Sequence, residues 1–91
     1  MVLRKTTWFD HICLGHSEMH NCLGDVMATL ERPEAVYAFK KERMSFRYSE
    51  RKGSFIMLVY TVREHLGWVK TAYMVPNPYV EVEDYNRVWP I

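Results

Sequence analysis

The chain has 91 residues, of which 48% are hydrophobic and 25% are charged, and its formal net charge is +1. We expect one domain over residues 1–91, and this balance excludes a disordered chain or a protein that binds nucleic acid through a strongly basic overall field. No apolar run approaches the roughly 20 residues that cross a bilayer, and the N-terminus lacks the apolar core of a secretory signal. We therefore expect a cytoplasmic protein without a membrane partner, in which Cys13 and Cys22 are reduced thiols.

The N-terminal part, residues 8–31, carries the pattern of two helices. Residues 8–15 predict a short first helix, and residues 18–31 predict a second one. In the second helix, apolar side chains recur at the spacing of one helical face, at Leu23, Val26, Met27 and Leu30. Helix is disfavoured immediately before Pro33, so the segment ERPE predicts the helix end.

Residues 35–75 carry the pattern of an antiparallel sheet of about four strands. The runs that predict strands are residues 35–39, 43–49, 55–62 and 68–75. The third run is apolar on both faces, which is typical of a central strand covered on both sides. The last run alternates, which predicts that Thr71 and Tyr73 share a face with Val69, opposite Lys70. The tail, residues 76–91, is predicted to be extended, either over the second face of the sheet or against a partner chain.

The second run predicts a half-exposed strand with a basic face. Arg43 and Arg47 share that face with two serines, about 13 Å apart at the rise of a strand, so they could flank an RNA backbone. The alternative is a solvated face paired with acidic neighbours. Phe46 and Tyr48 point the other way, which favours a place in the core over a platform for RNA bases.

The segment HSEMH, residues 16–20, places two histidines four positions apart, a spacing that can hold zinc on one helical face. The metalloprotease pattern H-E-x-x-H needs its glutamate directly after the first histidine, but Ser17 stands there. Glu18 would lie roughly 200° around a helix from His16. No third ligand has a recognised spacing, so we predict no metal site and no cofactor. His16, in a corner between the predicted helices, is instead a candidate for proton transfer near neutral pH.

Six segments in this order, FDHI, GHSEM, DVMATLERPEAV, FRYS, LVYTV and GWVKTAY, resemble the phage-associated branch of the barnase–EndoU–colicin–RelE-like nucleases. The resemblance covers roughly residues 8–75, and it places HSE, at His16, where the family has an HPE corner. It implies an α+β fold with two N-terminal helices followed by a four-stranded antiparallel sheet. The tail after Pro76 has no counterpart in it.

The resemblance also implies metal-independent RNA cleavage, in which the 2′-hydroxyl attacks the adjacent phosphate and leaves a cyclic phosphate. That reaction needs a base, an acid and groups that stabilise the phosphorane. We expect an endoribonuclease of toxin or mobile-element type. Its expected site residues are His16 as general base or acid, His11 as the alternative to it, Thr71 and Tyr73 to orient the substrate, and Arg43 and Arg47 to bind phosphate.

A non-catalytic interaction module with a nuclease-like fold is the alternative. It would bind a protein partner or nucleic acid, or form a homodimer, and the near-neutral charge and aromatic tail fit it. An RNA substrate and a protein inhibitor are the partners expected of the nuclease. Convergence of His16, Arg47 and Tyr73 on one open cleft would favour the enzyme, whereas scattered positions or burial by the tail would favour the module.

Overall fold

A computed structural model describes residues 22–64 and 66–90 of the chain. Its elements are α1 (Leu23–Glu31), β1 (Ala35–Phe39), β2 (Glu42–Ser49), β3 (Ser54–Arg63), β4 (Leu66–Val75), α2 (Pro78–Glu81) and β5 (Asn86–Trp89). The strands form one antiparallel sheet in the order β4-β3-β2-β1-β5. The predicted α+β fold with an antiparallel sheet is confirmed, but the sheet has five strands rather than about four.

One helix precedes the sheet in the described residues. It begins at Leu23, whereas the sequence predicted residues 18–31, and the predicted first helix, residues 8–15, lies outside the described residues. The helix ends as predicted: the Arg32 N–H donates to the Ala28 carbonyl at 2.8 Å, and Pro33 follows. The buried stripe is Cys22, Val26 and Thr29, so the predicted stripe was wrong at Leu23 and Met27, which are exposed.

The two faces of the sheet carry separate apolar clusters. On the helix face, under α1, the cluster is Cys22, Val26, Ile56, Leu58, Tyr60, Val69 and Ala72. On the other face it is Ala35, Met44, Phe46, Met57, Val59, Val75 and Val82. Because β3 supplies residues to both clusters, the prediction of a strand covered on both sides is confirmed.

The tail covers the second face of the sheet. Residues 76–85, which we call the strap, insert Pro78 and Val82 as buried side chains against that face, hereafter the strap face. The tail is not simply extended, since it contains α2 and then β5, which pairs antiparallel with β1. No helix in residues 22–64 and 66–90 is long and apolar enough to cross a membrane.

A β-bulge changes the faces predicted for β4. Thr71 pairs with Val59 and Val69 pairs with Tyr60, so the register skips Lys70. An inserted residue reverses the side-chain alternation beyond it. Val69 therefore packs on the helix face, and Lys70 reaches Glu42 on the strap face with Thr71 and Tyr73. The predicted grouping of Val69 with Thr71 and Tyr73, opposite Lys70, was wrong.

The serines on the basic face of β2 are buried, whereas Arg43 and Arg47 on that face are half-buried. On the other face Phe46 is buried as predicted, but Tyr48 is 45% exposed, so its predicted place in the core was wrong.

Ser45 and Ser49 are 2% and 7% exposed because α1 lies over this part of β2. The Ser49 hydroxyl donates to the Asp25 carboxylate at 2.9 Å, which satisfies a polar group that burial would otherwise destabilise. This contact fixes α1 to the end of β2.

Candidate active site on the strap face

The structure divides the predicted site residues between the two faces of the sheet. Arg43 and Arg47 alternate with Met44 and Phe46 on β2 and therefore lie on the helix face. Thr71 and Tyr73 lie on the strap face. His11 and His16 lie outside the described residues.

Both arginine side chains donate hydrogen bonds to backbone carbonyl groups. Arg43 Nη1 donates to the Lys40 carbonyl at 2.7 Å and to the Glu42 carbonyl at 3.1 Å, at the turn between β1 and β2. Arg47 Nη1 donates to the Arg32 carbonyl at 2.8 Å, directly after α1. A helix end leaves carbonyl groups without helical partners, so Arg47 stabilises the end of α1. These contacts give both side chains a structural role.

A carboxylate that the sequence did not single out lies at the centre of the strap-face site. Glu42, the first residue of β2, accepts a hydrogen bond from the Tyr85 hydroxyl at 2.7 Å through Oε2. Its Oε1 accepts from Lys70 Nζ at 3.2 Å. The strap delivers Tyr85, and the bulge in β4 delivers Lys70, so three separate parts of the chain meet at one carboxylate.

These contacts set the charge of the carboxylate. The hydrogen bond from Tyr85 lowers the pKa of Glu42, against the opposing effect of burial, and Lys70 lowers it further. The carboxylate is therefore ionised at neutral pH. The same hydrogen bond, together with burial and the negative charge of Glu42, raises the pKa of Tyr85 to about 12. The phenol is therefore a neutral hydrogen-bond donor at neutral pH.

Tyr73 joins this group from β4. Burial raises its pKa, and the negative charges of Glu81 and Glu42 raise it further. Its ring packs against the strap-face apolar cluster, as does the ring of Tyr85. We call Glu42, Lys70, Tyr73 and Tyr85 the Glu42 cluster. Thr71 lies on the same face, two residues from Tyr73.

An open depression adjoins the Glu42 cluster. Phe39, Glu42, Asp84 and Tyr85 line it. The Phe39 ring is exposed and lies 5.7 Å from the Tyr85 ring, and Lys40 Nζ lies 5.4 Å from the Phe39 centroid. A ligand in the depression would meet two carboxylates, a phenol hydroxyl and an aromatic face, with the Lys40 ammonium group beside that face.

The sequence held only a weak signal for this cluster. Glu42 appears as one acidic residue inside the basic segment KKERMSFRYSERK, residues 40–52, where it resembles a solvated charge. Strict alternation placed Lys70 on the wrong face, because a bulge has no sequence signature here. Tyr85 lies in a tail whose position over the sheet was left open.

The described residues contain no group of three or more histidine, cysteine, aspartate or glutamate side chains that could hold a metal ion. Residues 16–20 lie outside that range. No protein-family model, curated protein or solved structure matches the chain. The geometry of the Glu42 cluster is therefore the observation that bears on function, and the resemblance of residues 8–75 stays a prediction.

Proposed function

We propose that the chain is a metal-independent endoribonuclease that cleaves RNA by attack of a 2′-hydroxyl on the adjacent phosphate. The Glu42 cluster is the observation that carries this proposal. It brings a carboxylate, an ammonium group and a phenol hydroxyl within hydrogen-bond distance beside an open depression. Those groups match the needs of the reaction, which are a proton acceptor and donors that stabilise negative charge on phosphate.

Each member of the cluster has a role in this proposal. Glu42 accepts the proton of the attacking 2′-hydroxyl, because it is an ionised carboxylate on the open face. Lys70, whose side chain is 56% exposed, binds the phosphate. Tyr85 and Tyr73 donate hydrogen bonds to the phosphate oxygens, and Thr71 orients the substrate beside them.

The contacts of Glu42 also bear on its strength as a base. A carboxylate with a lowered pKa is a weak proton acceptor at neutral pH. The groups that lower its pKa, Tyr85 and Lys70, are the same groups that a bound phosphate would recruit. Substrate binding would therefore draw them away from Glu42 and raise its pKa towards the pH of the reaction.

The leaving 5′-oxygen needs a proton donor, and we assign that role to His16, with His11 as the alternative. The imidazole is suited to it by an unperturbed pKa of about 6.5. The phosphate-binding role moves from Arg43 and Arg47 to Lys70, because the arginines lie on the helix face and hold carbonyl groups. The toxin or mobile-element setting rests on the resemblance alone.

The test is cleavage of a mixed RNA substrate in excess EDTA, with detection of cyclic phosphate ends. We expect wild-type protein to cleave RNA and to leave the same sequence unaffected when the 2′-hydroxyls are removed. Glu42→Gln keeps the shape and the hydrogen-bond acceptor but not the base, so we expect cleavage to slow by about 10²- to 10⁴-fold. Lys70→Ala and His16→Ala should also slow cleavage.

Glu50→Gln is the matched control, since Glu50 is an exposed glutamate in the turn after β2. It should cleave RNA at the wild-type rate, and every variant should be folded at the assay temperature. Full activity of Glu42→Gln would contradict the role of Glu42. Absence of cleavage by folded wild-type protein would contradict the nuclease itself.

A second candidate is the non-catalytic interaction module, and two observations favour it by the criterion set from the sequence. Arg47 and Tyr73 lie on opposite faces of the sheet, and the strap covers part of the face that holds Tyr73. In this alternative the Glu42 cluster only ties the strap to the sheet. Glu42→Gln would then weaken folding, while neither the variant nor the wild type would cleave RNA.

A further inference from the structure

A lysine occupies a strained backbone position beside the depression. Lys40, in the turn between β1 and β2, has a φ of 56°, in the left-handed region. Residues with a β-carbon rarely adopt this conformation, and glycine or asparagine is the usual residue where a turn requires it. Other residues in this region persist where the surrounding structure fixes them, and they are concentrated at functional sites.

The surrounding structure fixes the backbone of this lysine. Arg43 Nη1 donates to the Lys40 carbonyl at 2.7 Å and to the Glu42 carbonyl at 3.1 Å, so one guanidinium group spans part of the turn. The Val62 N–H, on β3, donates to the Lys41 carbonyl at 2.9 Å. None of these contacts uses the Lys40 side chain, so a glycine at this position would keep them all.

The Lys40 side chain lies at the edge of the candidate active site. Its Nζ is 5.4 Å from the centroid of the Phe39 ring, which is within the range of a cation–π contact. The Phe39 ring is exposed and lines the depression together with Glu42 and Asp84. The ammonium group is therefore held beside a wall of the depression.

The charges around the depression call for a further cation. Glu42 and Asp84 both line it, and their carboxylates repel a polyanion that enters. Lys70 is already paired with Glu42, at 3.2 Å. In residues 22–64 and 66–90, by contrast, no carboxylate forms an ion pair with Lys40. Lys40 therefore offers an exposed and unpaired positive charge at this site.

We propose that Lys40 is a substrate-binding residue, whose ammonium group binds the RNA phosphate next to the one that is cleaved. This inference rests on the proposed nuclease and adds a residue to its site. A cation–π contact with an exposed ring stabilises a fold by less than a left-handed backbone costs, so the contact with Phe39 does not account for a lysine here. A glycine would relieve the strain, whereas the lysine supplies a cation for phosphate.

The test measures stability and RNA binding on the same variant. Lys40→Gly removes the ammonium group and suits the left-handed backbone, so the midpoint of urea unfolding should not fall. Its affinity for a short single-stranded 2′-O-methyl RNA, which 2′-hydroxyl attack cannot cleave, should fall about fivefold at 0.1 M salt, as fluorescence anisotropy would show. The slope of log affinity against log salt concentration should become shallower by about 0.7, the value for one phosphate contact with a single strand.

Two further variants complete the test. Lys40→Arg keeps the positive charge and should bind RNA as wild type does. Lys52→Ala is the matched control, since Lys52 lies in the turn at the opposite end of β2 from Glu42 and its loss changes the net charge equally. It should leave the affinity and the salt slope unchanged. The proposal is overturned by wild-type affinity or a lowered unfolding midpoint in Lys40→Gly, by an equal loss of affinity in Lys52→Ala, or by the absence of wild-type binding.

RNA cleavage measured on the same proteins separates this inference from the proposed function. We expect Lys40→Gly to raise KM about fivefold and to leave kcat near the wild-type value, because the lysine binds outside the phosphate that reacts. Cleavage by wild type, with an unchanged KM in Lys40→Gly, would overturn the role of Lys40 and leave the nuclease standing. Binding that depends on Lys40, by a wild-type protein that cleaves nothing, would overturn the nuclease and leave Lys40 as an RNA-binding residue.

Discussion

Glu42 and Tyr85 shift each other's pKa values in opposite directions through one hydrogen bond of 2.7 Å. The bond joins the first residue of β2 to the end of the strap, so the protonation of either group is linked to the position of the strap. Lys70 adds a second contact to the same carboxylate at 3.2 Å. A single carboxylate thus connects the sheet, the bulge and the tail.

We predict that Tyr85 loses its proton at a higher pH than an ordinary tyrosine. Its pKa in the folded protein is about 12, above the ordinary value of 10.0, because its hydroxyl donates a hydrogen bond to the Glu42 carboxylate. A raised folded-state pKa means that the stabilisation is complete below pH 10 and is lost as the pH rises through about 12. The measurement is the phenolate absorbance of wild type minus that of Tyr85→Phe, across this range.

Glu42→Gln supplies the control for that titration. The glutamine still accepts a hydrogen bond but carries no charge, so the pKa of Tyr85 should fall towards its ordinary value. If the difference titration were the same in Glu42→Gln and in wild type, the carboxylate would not be the cause of the shift.

At the scale of elements, the strands whose patterns depend on burial could be predicted well. The run AVYAF coincides with β1, Ala35–Phe39, and the run that is apolar on both faces coincides with the core of β3. In each of these elements the hydrophobic effect selects the side chains directly. β5 was missed because its four residues are all exposed and carry no apolar alternation.

The errors in α1, β2 and β4 have a common physical origin in contacts between distant parts of the chain. Ser49 looks solvated in the sequence, but its hydroxyl is satisfied by Asp25 beneath α1. Lys70 was placed on the wrong face because the bulge is a property of strand pairing. For the candidate site, the shared face of Thr71 and Tyr73 could be predicted, whereas the place of Glu42 depended on the bulge and the strap.

A polar contact attaches α1 to the sheet, and the second prediction tests it. Ser49→Ala removes the hydroxyl that donates to Asp25 at 2.9 Å, and it should lower the free energy of unfolding by about 1 kcal/mol. Asp25→Ala leaves the buried Ser49 hydroxyl without its acceptor and also removes the contact with Arg51. It should therefore cost more, about 1–3 kcal/mol, as measured by urea unfolding.

Glu50→Ala is the control for this pair of variants, because Glu50 is exposed beside Ser49. A surface substitution of this kind should change the free energy of unfolding by less than about 0.5 kcal/mol. A loss for Ser49→Ala no larger than that of the control would show that the hydroxyl contributes nothing to the attachment of α1.

At the scale of the whole molecule, the sheet separates two apolar clusters that share a strand. Leu58 points into the cluster under α1, and Val82 of the strap packs in the cluster on the opposite face. The candidate active site lies on the strap face, so the apolar cluster on that face supports it. The cluster under α1 supports the scaffold from the other side.

The last prediction is that losses in the two clusters add. Leu58→Ala should lower the free energy of unfolding by about 2–5 kcal/mol, and Val82→Ala by about 2 kcal/mol, because both side chains are buried. The sheet lies between them and they share no cluster, so the loss in the double variant should equal the sum of the two single losses within about 0.5 kcal/mol.

Val80→Ala is the control, because Val80 is exposed on the same strap, and it should change the free energy of unfolding little. If the change in the free energy of unfolding of the double variant departs clearly from the sum, the two clusters are energetically coupled through β3. A substitution at the candidate site would then also alter the packing beneath α1.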